Sequence, residues 1–179
     1  ELQETLDRLF YDEANGGYFS GTGNDPTILL RMKEDNDGAE PAASSVAALI
    51  LLRLAQIRRD EAMRSRAEKT IASFSFTLSR VPAAMPQMLV ALDYSLGKPM
   101  QIVLTERDSA LLREVHQHFL PNKLLLKPDP FLEEQLPELR EMTPLEGKAT
   151  AYVCENFTCQ APVNDPAALR ALLAAHPDR

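Results

Sequence analysis

The sequence predicts a mixed α and β fold in two parts, a helical part over residues 1–97 and a small α/β part over residues 98–179. Three long segments between residues 42 and 96 repeat apolar side chains at the 3.6-residue period of amphipathic helices. After Gly97 and Pro99, which stop the last of these helices, apolar residues gather in short runs typical of buried strands. These observations place the division between the two parts near residue 97.

The helical part begins with a short helix and a β-hairpin. Apolar residues recur at helical spacing from Leu2 to Phe10 with no initiator methionine or capping residue, so we expect a large N-terminal part to precede them. Asn-Gly-Gly at residues 15–17 predicts a turn. Two apolar runs, residues 17–20 and 28–32, predict the strands of a hairpin that residues 21–26 connect.

Three amphipathic helices follow the hairpin. A turn at residues 37–38 leads into the first, whose run from Val46 to Leu52 is apolar on nearly all sides and predicts burial on most sides. Asp60 is the expected N-cap of the second helix, which keeps one apolar stripe from Met63 to Leu78. The third helix is predicted from about residue 83 to residue 96.

The second part predicts a small three-stranded parallel sheet with helices packed on it, because its elements follow the order β-α-β, loop, β-α. A helix over residues 108–119, with Phe119 facing inward, joins the first two strands. Asp165 caps the last helix, and the proline-rich residues 127–144 form a surface excursion with one helical turn. The predicted strands are residues 102–104, 124–126 and 149–154.

Composition excludes several classes of protein. With 45% hydrophobic residues, 25% charged residues and a net charge of −7, an extended nucleic-acid surface is not expected. No apolar run approaches the roughly 20 residues that span a bilayer, so we expect no membrane partner. Two cysteines without a secretory signal peptide predict a reducing, cytoplasmic setting.

Cys154 and Cys159 follow the last predicted strand, with four residues between them. A structural zinc site needs four ligands, and no histidine pair has suitable spacing. A catalytic redox pair normally has two intervening residues at a helix N-terminus. The favoured interpretation is two buried thiols that flank a tight loop. A disulfide is the alternative, which requires the two Cα atoms to lie within about 7 Å. We expect no metal and no cofactor.

The sequence gives little support for histidine-based catalysis or dinucleotide binding, and the catalytic residues stay unknown. Residues 1–99 contain no histidine, and the three histidines of the chain, His116, His118 and His176, are predicted surface residues. The predicted β-α unit at residues 102–119 lacks the glycines that a dinucleotide-binding turn needs.

Three segments, residues 9–19, 33–55 and 152–162, carry a resemblance to a known family. They contain Leu-Phe-Tyr-Asp-Glu with Gly-Gly-Tyr-Phe, then Asp-Gly-Ala ahead of a proline and an apolar helix, then Tyr-Val-Cys-Glu-Asn-Phe with Cys-Gln-Ala-Pro. In this order they resemble the C-terminal part of thioredoxin-domain-containing proteins related to spermatogenesis-associated protein 20. Members of that family pair an N-terminal thioredoxin-like domain with an (α/α) toroid similar to N-acylglucosamine 2-epimerases and six-hairpin glycosidases.

The resemblance implies that residues 1–97 are the last hairpins of the toroid and that the rest is an α/β appendage. The chain would then be a C-terminal fragment of a multidomain protein of poorly defined activity, without a catalytic centre of its own. Its expected partners are the missing N-terminal part and a carbohydrate ligand. The alternative is a scaffold for the thioredoxin-like redox domain. Because a few hairpins cannot close a ring, either self-association or a compact local bundle must cover apolar faces such as Val46, Ile50 and Leu54.

In a toroid, the loops at one end form the mouth where a sugar would bind, and six acidic residues flank the predicted hairpin and the start of the next helix. Paired carboxylates there could transfer protons or accept hydrogen bonds from sugar hydroxyls. An aspartate at this position could also simply hold a turn. Asp37 is the first candidate for a substrate contact and Glu34 the second. The six residues are Asp12, Glu13, Glu34, Asp35, Asp37 and Glu40.

Overall fold

The computed structural model describes residues 1–24, 26–106, 110–155 and 158–175. The chain divides into two compact units, Glu1–Leu96 and Gly97–Arg179, each with its own cluster of buried apolar side chains. The predicted mixture of α and β structure is confirmed. Within the described ranges, no helix combines the length and the apolar character needed to cross a bilayer.

Helices dominate the first unit. A 3₁₀ turn at Pro82–Ala84 precedes the last of them. The Asp60 carboxylate accepts a hydrogen bond from the Met63 N–H at 3.0 Å, which confirms the predicted cap. The predicted continuous helix from Met63 to Leu78 is wrong, because it breaks at Phe74, where φ is −104° and ψ is 12°. The helices are α1 (Leu2–Phe10), α2 (Ala43–Arg58), α3 (Glu61–Ser73), α4 (Ser75–Arg80) and α5 (Pro86–Leu96).

Helix α2 packs against both α3 and α5, and it carries much of the core of this unit. Its opposite face is open, since Val46 and Ile50 are 37% and 43% exposed. The prediction of burial on most sides is confirmed, since five of the seven residues from 46 to 52 are buried, and the face with Val46 and Ile50 is the exception. The buried side chains facing the core include Ala47, Ala48, Leu51 and Leu52.

The predicted β-hairpin does not form as a strand pair in the described residues. Tyr18 makes an isolated bridge with Tyr11, and residues 28–32 contain no strand. A single backbone hydrogen bond, from the Ser20 N–H to the Met32 carbonyl at 2.8 Å, joins the two runs. Leu29 is 99% exposed, so the second run has no buried face of the kind that stabilises an isolated strand pair.

The described residues of the second unit form a four-stranded sheet in the order β2-β1-β3-β4 with three helices. Its strands are β1 (Met100–Leu104), β2 (Leu124–Leu126), β3 (Ala151–Glu155) and β4 (Thr158–Cys159). Its helices are α6 (Ala110–His116), α7 (Pro130–Gln135) and α8 (Pro166–Ala174).

The sheet is mixed, so the predicted three-stranded parallel sheet is wrong in its third strand. Strand β2 runs parallel to β1, whereas β3 is antiparallel to β1 and β4 is antiparallel to β3. A parallel third strand would need a crossover element packed on the sheet. The connection from β2 to β3 contains α7, which has no buried side chain, and a 3₁₀ turn at Pro137–Glu141.

Helices α6 and α8 pack together, and their buried apolar residues join the apolar cluster of the sheet. Asp165 caps α8 as predicted, and its carboxylate accepts a hydrogen bond from the Ala168 N–H at 2.9 Å. Phe119, expected to face inward, is 83% exposed because α6 ends at His116. The predicted start of this helix at residue 108 lies outside the described residues, as does His176.

Candidate functional site

Asp37, the first predicted contact residue, is held by backbone amides of two helices. Its Oδ1 accepts a hydrogen bond from the Ala42 N–H at 2.8 Å, at the N-cap of α2. Its Oδ2 accepts hydrogen bonds from the Gln87 and Met88 N–H groups of α5, at 2.8 and 3.3 Å. Its own N–H donates to the Ala84 carbonyl at 2.7 Å. Asp37 therefore caps α5 and ties it to the start of α2.

Glu34, the second predicted residue, is exposed and lines a cavity of about 240 Å³ in the first unit. The cavity combines aromatic and aliphatic side chains with one carboxylate and the hydroxyls of Tyr18 and Ser20, and ligand sites commonly have such a largely apolar lining with a few polar groups. Its lining residues are Leu6, Phe10, Tyr18, Phe19, Ser20, Glu34 and Ala43.

Tyr18, which lines this cavity, is held in place by several contacts. The Tyr18 hydroxyl donates to Asp7 Oδ1 at 2.6 Å, and its ring lies 5.2 Å from the Tyr11 ring. The Tyr18 N–H donates to Ser44 Oγ at 2.8 Å. Burial, with the neighbouring Asp7 carboxylate adding to it, raises the pKa of Tyr18. The phenol therefore stays neutral and keeps its hydrogen-bonding proton.

Asp7 connects this wall to α3. Its Oδ2 accepts a hydrogen bond from Arg66 Nη1 at 2.7 Å, and the Arg66 guanidinium lies 5.0 Å from the centre of the Tyr11 ring. Gln3 Nε2 donates to Asp7 Oδ1 at 2.8 Å. This network was missed by sequence reasoning, because Asp7 and Arg66 are 59 residues apart and neither belongs to a recognisable motif.

Two cationic side chains lie close to the Phe19 ring. The Arg31 guanidinium carbon lies 4.0 Å from the ring centre and Lys33 Nζ lies 5.0 Å from it. Arg31 also donates through Nη2 to the Gly21 carbonyl at 2.8 Å, and Lys33 donates to Asp12 Oδ2 at 2.7 Å. The Lys33 ammonium holds the pKa of Asp12 well below its usual range. Asp12 is therefore an ionised partner of Lys33 and not a free acid or base.

The six acidic residues thus do not converge on one point. Asp12 and Asp37 are engaged in the fold, whereas Glu34 faces the cavity. Glu13, Asp35 and Glu40 are exposed. No three His, Cys, Asp or Glu side chains within the described residues group as a metal site.

Cys154 and Cys159 form a disulfide between the paired strands β3 and β4, with their Cα atoms 3.9 Å apart. Cys154 is 4% exposed, whereas Cys159 lies on the exposed strand β4. The favoured interpretation of two buried free thiols therefore differs from the structure. The sequence could not decide between the alternatives, because the register of β3 with β4 is not encoded by cysteine spacing alone.

A second charged cluster joins α6 and α8 in the C-terminal unit. Arg170 donates to both carboxylate oxygens of Glu114, through Nε and Nη2, each at 2.8 Å. His118 Nε2 lies 3.0 Å from Glu114 Oε1. These hydrogen bonds, from Arg170 first and then His118, lower the pKa of Glu114 from 4.5 to about 2.

This shift predicts an acid-dependent stability of the C-terminal unit. Because the folded-state pKa of Glu114 is lowered, its stabilising contribution is complete above about pH 4.5 and is lost as the pH falls towards about 2. We expect urea midpoints of the wild type to fall more steeply across this window than those of Glu114→Gln. Parallel profiles for the two proteins would contradict the assignment.

No family model matches the chain. The chain is 41% identical to human spermatogenesis-associated protein 20 over 186 residues, which cover 98% of the chain and 23% of that protein. The rat protein of the same name is 40% identical over 96% of the chain and 23% of its own length. An uncharacterized protein of Caenorhabditis elegans is 35% identical over 91% of the chain and 23% of its own length.

The chain therefore spans about a quarter of the length of the relatives it matches. Similarity at about 40% identity over nearly the whole chain supports a common fold for the aligned residues. The thioredoxin-like domain and the toroid stay predictions. What the comparisons do confirm is the resemblance of this chain to proteins named spermatogenesis-associated protein 20.

Proposed function

We propose that this chain is a C-terminal, non-catalytic part of a larger carbohydrate-active protein, in which the cavity beside Glu34 contacts a sugar. One observation carries the proposal, the exposed carboxylate in a small cavity among Phe10, Phe19 and Ser20. Sugars present hydroxyls that a carboxylate accepts and C–H faces that pack on aromatic rings. The volume of about 240 Å³ is below the 300 Å³ or so of drug-sized pockets, which favours a ligand of monosaccharide size.

The non-catalytic role is supported by what the other acidic residues do. Acid–base chemistry on a glycosidic bond uses two carboxyl groups on either side of the bond. The oxygens of Asp37 accept hydrogen bonds from three backbone amides, and those of Asp12 are bound by Lys33 and Asn15. Glu34 has no second carboxylate among the residues that line its cavity. We therefore place the catalytic groups in the remainder of the longer protein.

The helical unit is compatible with the proposed toroid, because α2 packs on both α3 and α5 as helices of successive hairpins would. A repeat of such hairpins buries its faces only against further hairpins. The aligned residues make up 23% of the human relative, so the rest of that protein is long enough to supply further hairpins.

Sugar contact at Glu34 can be tested by titrating monosaccharides into the chain and following amide chemical shifts. We expect shifts at Phe10, Phe19 and Ser20, and a loss of affinity of about tenfold in Glu34→Gln, since a hydrogen bond to a charged group contributes about 1.5–3 kcal/mol. Asp35→Asn is the matched control, because Asp35 is exposed and does not line the cavity. Equal affinities for the two variants, or no shifts with any sugar, would rule out the site.

A second function, a scaffold for a thioredoxin-like redox domain, is favoured by open apolar surface. Val46 and Ile50 are exposed on one face of α2. A groove of about 540 Å³ between α3, α4 and α5 is lined largely by apolar side chains, including Ile71, Leu78 and Leu92. Surfaces of this kind commonly mark protein–protein contacts.

Sedimentation of the chain at graded dilution tests whether the α2 face is such a contact. We expect self-association that weakens on dilution in the wild type and is lost in Ile50→Glu, because a charge at the centre of an apolar contact must be desolvated. Glu40→Gln, at an exposed position before α2, is the control. A strictly monomeric wild type would count against self-association through this face.

A further inference from the structure

The disulfide between Cys154 and Cys159 lies at the edge of the sheet, and its two sulfur-bearing residues differ in exposure. Cys154 is 4% exposed and lies opposite Gln101 of β1 in the antiparallel pairing of β1 with β3. Cys159 lies on β4, the last strand in the sheet order, and both residues of that strand are exposed. A thiol in solution can therefore approach the bond from the Cys159 side.

The bond stabilises the unit less than a disulfide that closes a long loop would. It joins residues only five positions apart, and the loop-closure entropy that a disulfide removes from the unfolded chain grows with loop length. Other contacts hold the same segment without it. The Gln160 N–H donates to the Val153 carbonyl at 2.9 Å, and Ala151 and Val163 exchange backbone hydrogen bonds at 2.8 and 3.0 Å. Opening the bond should therefore leave the strands in place.

We propose that Cys154–Cys159 is a thiol–disulfide exchange site whose substrate is a dithiol that attacks the Cys159 sulfur. In the first step a thiolate of the dithiol forms a mixed disulfide with Cys159, and the bond to Cys154 breaks. The Cys154 sulfur leaves with the electron pair and takes up a proton, because a thiolate is poorly solvated in a buried position. In the second step the other thiol of the dithiol displaces Cys159.

The two steps balance. The cysteine pair gains two electrons and two protons and becomes a dithiol, while the reductant loses both and becomes a disulfide. Oxidation back to the bonded pair follows the same path in reverse with a disulfide as the oxidant. In the predicted cytoplasmic setting this behaviour is expected, because disulfides in reducing compartments are chiefly transient or redox-sensing.

Native reduction is the direct test. The oxidised chain is equilibrated with graded ratios of reduced to oxidised dithiothreitol without denaturant. The reaction is quenched with acid, free thiols are alkylated, and the products are identified by mass spectrometry of the intact protein. We expect both thiols to appear together as the ratio rises, with faster hydrogen exchange at the Gln160 amide and unchanged exchange in β1. Reduction that requires denaturant would overturn the proposal. So would free thiols that persist after equilibration with oxidised glutathione.

Single-cysteine variants test the direction of attack. In Cys154→Ser only the exposed Cys159 remains, and in Cys159→Ser only the buried Cys154 remains. We expect Cys159 to react with iodoacetamide at least about tenfold faster than Cys154, because access governs the rate. If both variants have native circular dichroism spectra, comparable rates of reaction with iodoacetamide would overturn attack at Cys159. The wild-type reduction assay stands by itself if either variant fails to fold.

Discussion

Replacement of Gly16 with alanine is expected to destabilise the N-terminal unit by about 2–5 kcal/mol. Gly16 has φ of +78°, where a side chain costs about 1–2 kcal/mol. An added Cβ would also lie 2.6 Å from the carbonyl oxygen of Lys69 on α3, and relief of such overpacking costs about 1–3 kcal/mol more. Backbone atoms, unlike a flexible side chain, cannot move aside without shifting the helix.

Two glycine controls separate these causes. Gly38→Ala, in the same unit, has no positive φ and no neighbouring atom closer than 3.8 Å, so it should be nearly neutral. Gly147→Ala has φ of +70° with nothing within 4 Å, so it should lose only the conformational part, about 1–2 kcal/mol. Urea denaturation measures all three. A Gly16→Ala protein as stable as Gly38→Ala would refute the close approach of the turn to α3.

Loss of the Asp37 carboxylate is the second large effect that we expect. Asp37→Ala removes the acceptor of three backbone N–H groups at the starts of two helices, and we expect the free energy of unfolding to fall by about 2–4 kcal/mol. Asp37→Asn keeps one side-chain oxygen and should lose about half as much. Thermal and urea unfolding of the purified variants provide the measurement.

Asp35→Ala is the control for this change, since it removes an exposed carboxylate two residues away and should change stability by less than about 0.5 kcal/mol. Equal stability of the two variants would contradict the capping role. The result also bears on ligand assays. A loss of sugar binding in Asp37→Ala would reflect the altered positions of α2 and α5, whereas Glu34→Gln tests a direct contact without disturbing a cap.

Features encoded by neighbouring residues were predicted from the sequence with good accuracy. Asp60 and Asp165 were identified as N-caps because the capping hydrogen bond joins residues three positions apart. The β runs at residues 102–104 and 124–126 were found because short apolar runs of this type mark buried strands. Glu34 was named from its position near the predicted hairpin, although nothing in the sequence revealed the aromatic cavity beside it.

The failures share a different origin. The antiparallel direction of β3 depends on how the segment from residue 127 to residue 150 returns to the sheet, which no short pattern describes. The apolar run of Val46–Leu52 does not reveal that one face of α2 remains open. The role of Asp37 as a cap of α5 requires a contact across 50 residues, so the sequence identified it only as a candidate substrate contact or a turn residue.

The amino-acid sequence by itself determined the N-caps Asp60 and Asp165 and the first two strands of the sheet. These depend on hydrogen bonds and apolar periodicity within a few residues, where the chain entropy lost on ordering is small. Only the tertiary structure decided the Asp7–Arg66 pair, the aromatic cavity beside Glu34 and the disulfide geometry of Cys154 and Cys159. Each of these depends on which distant segments come into contact, and that is set by the packing of the whole unit.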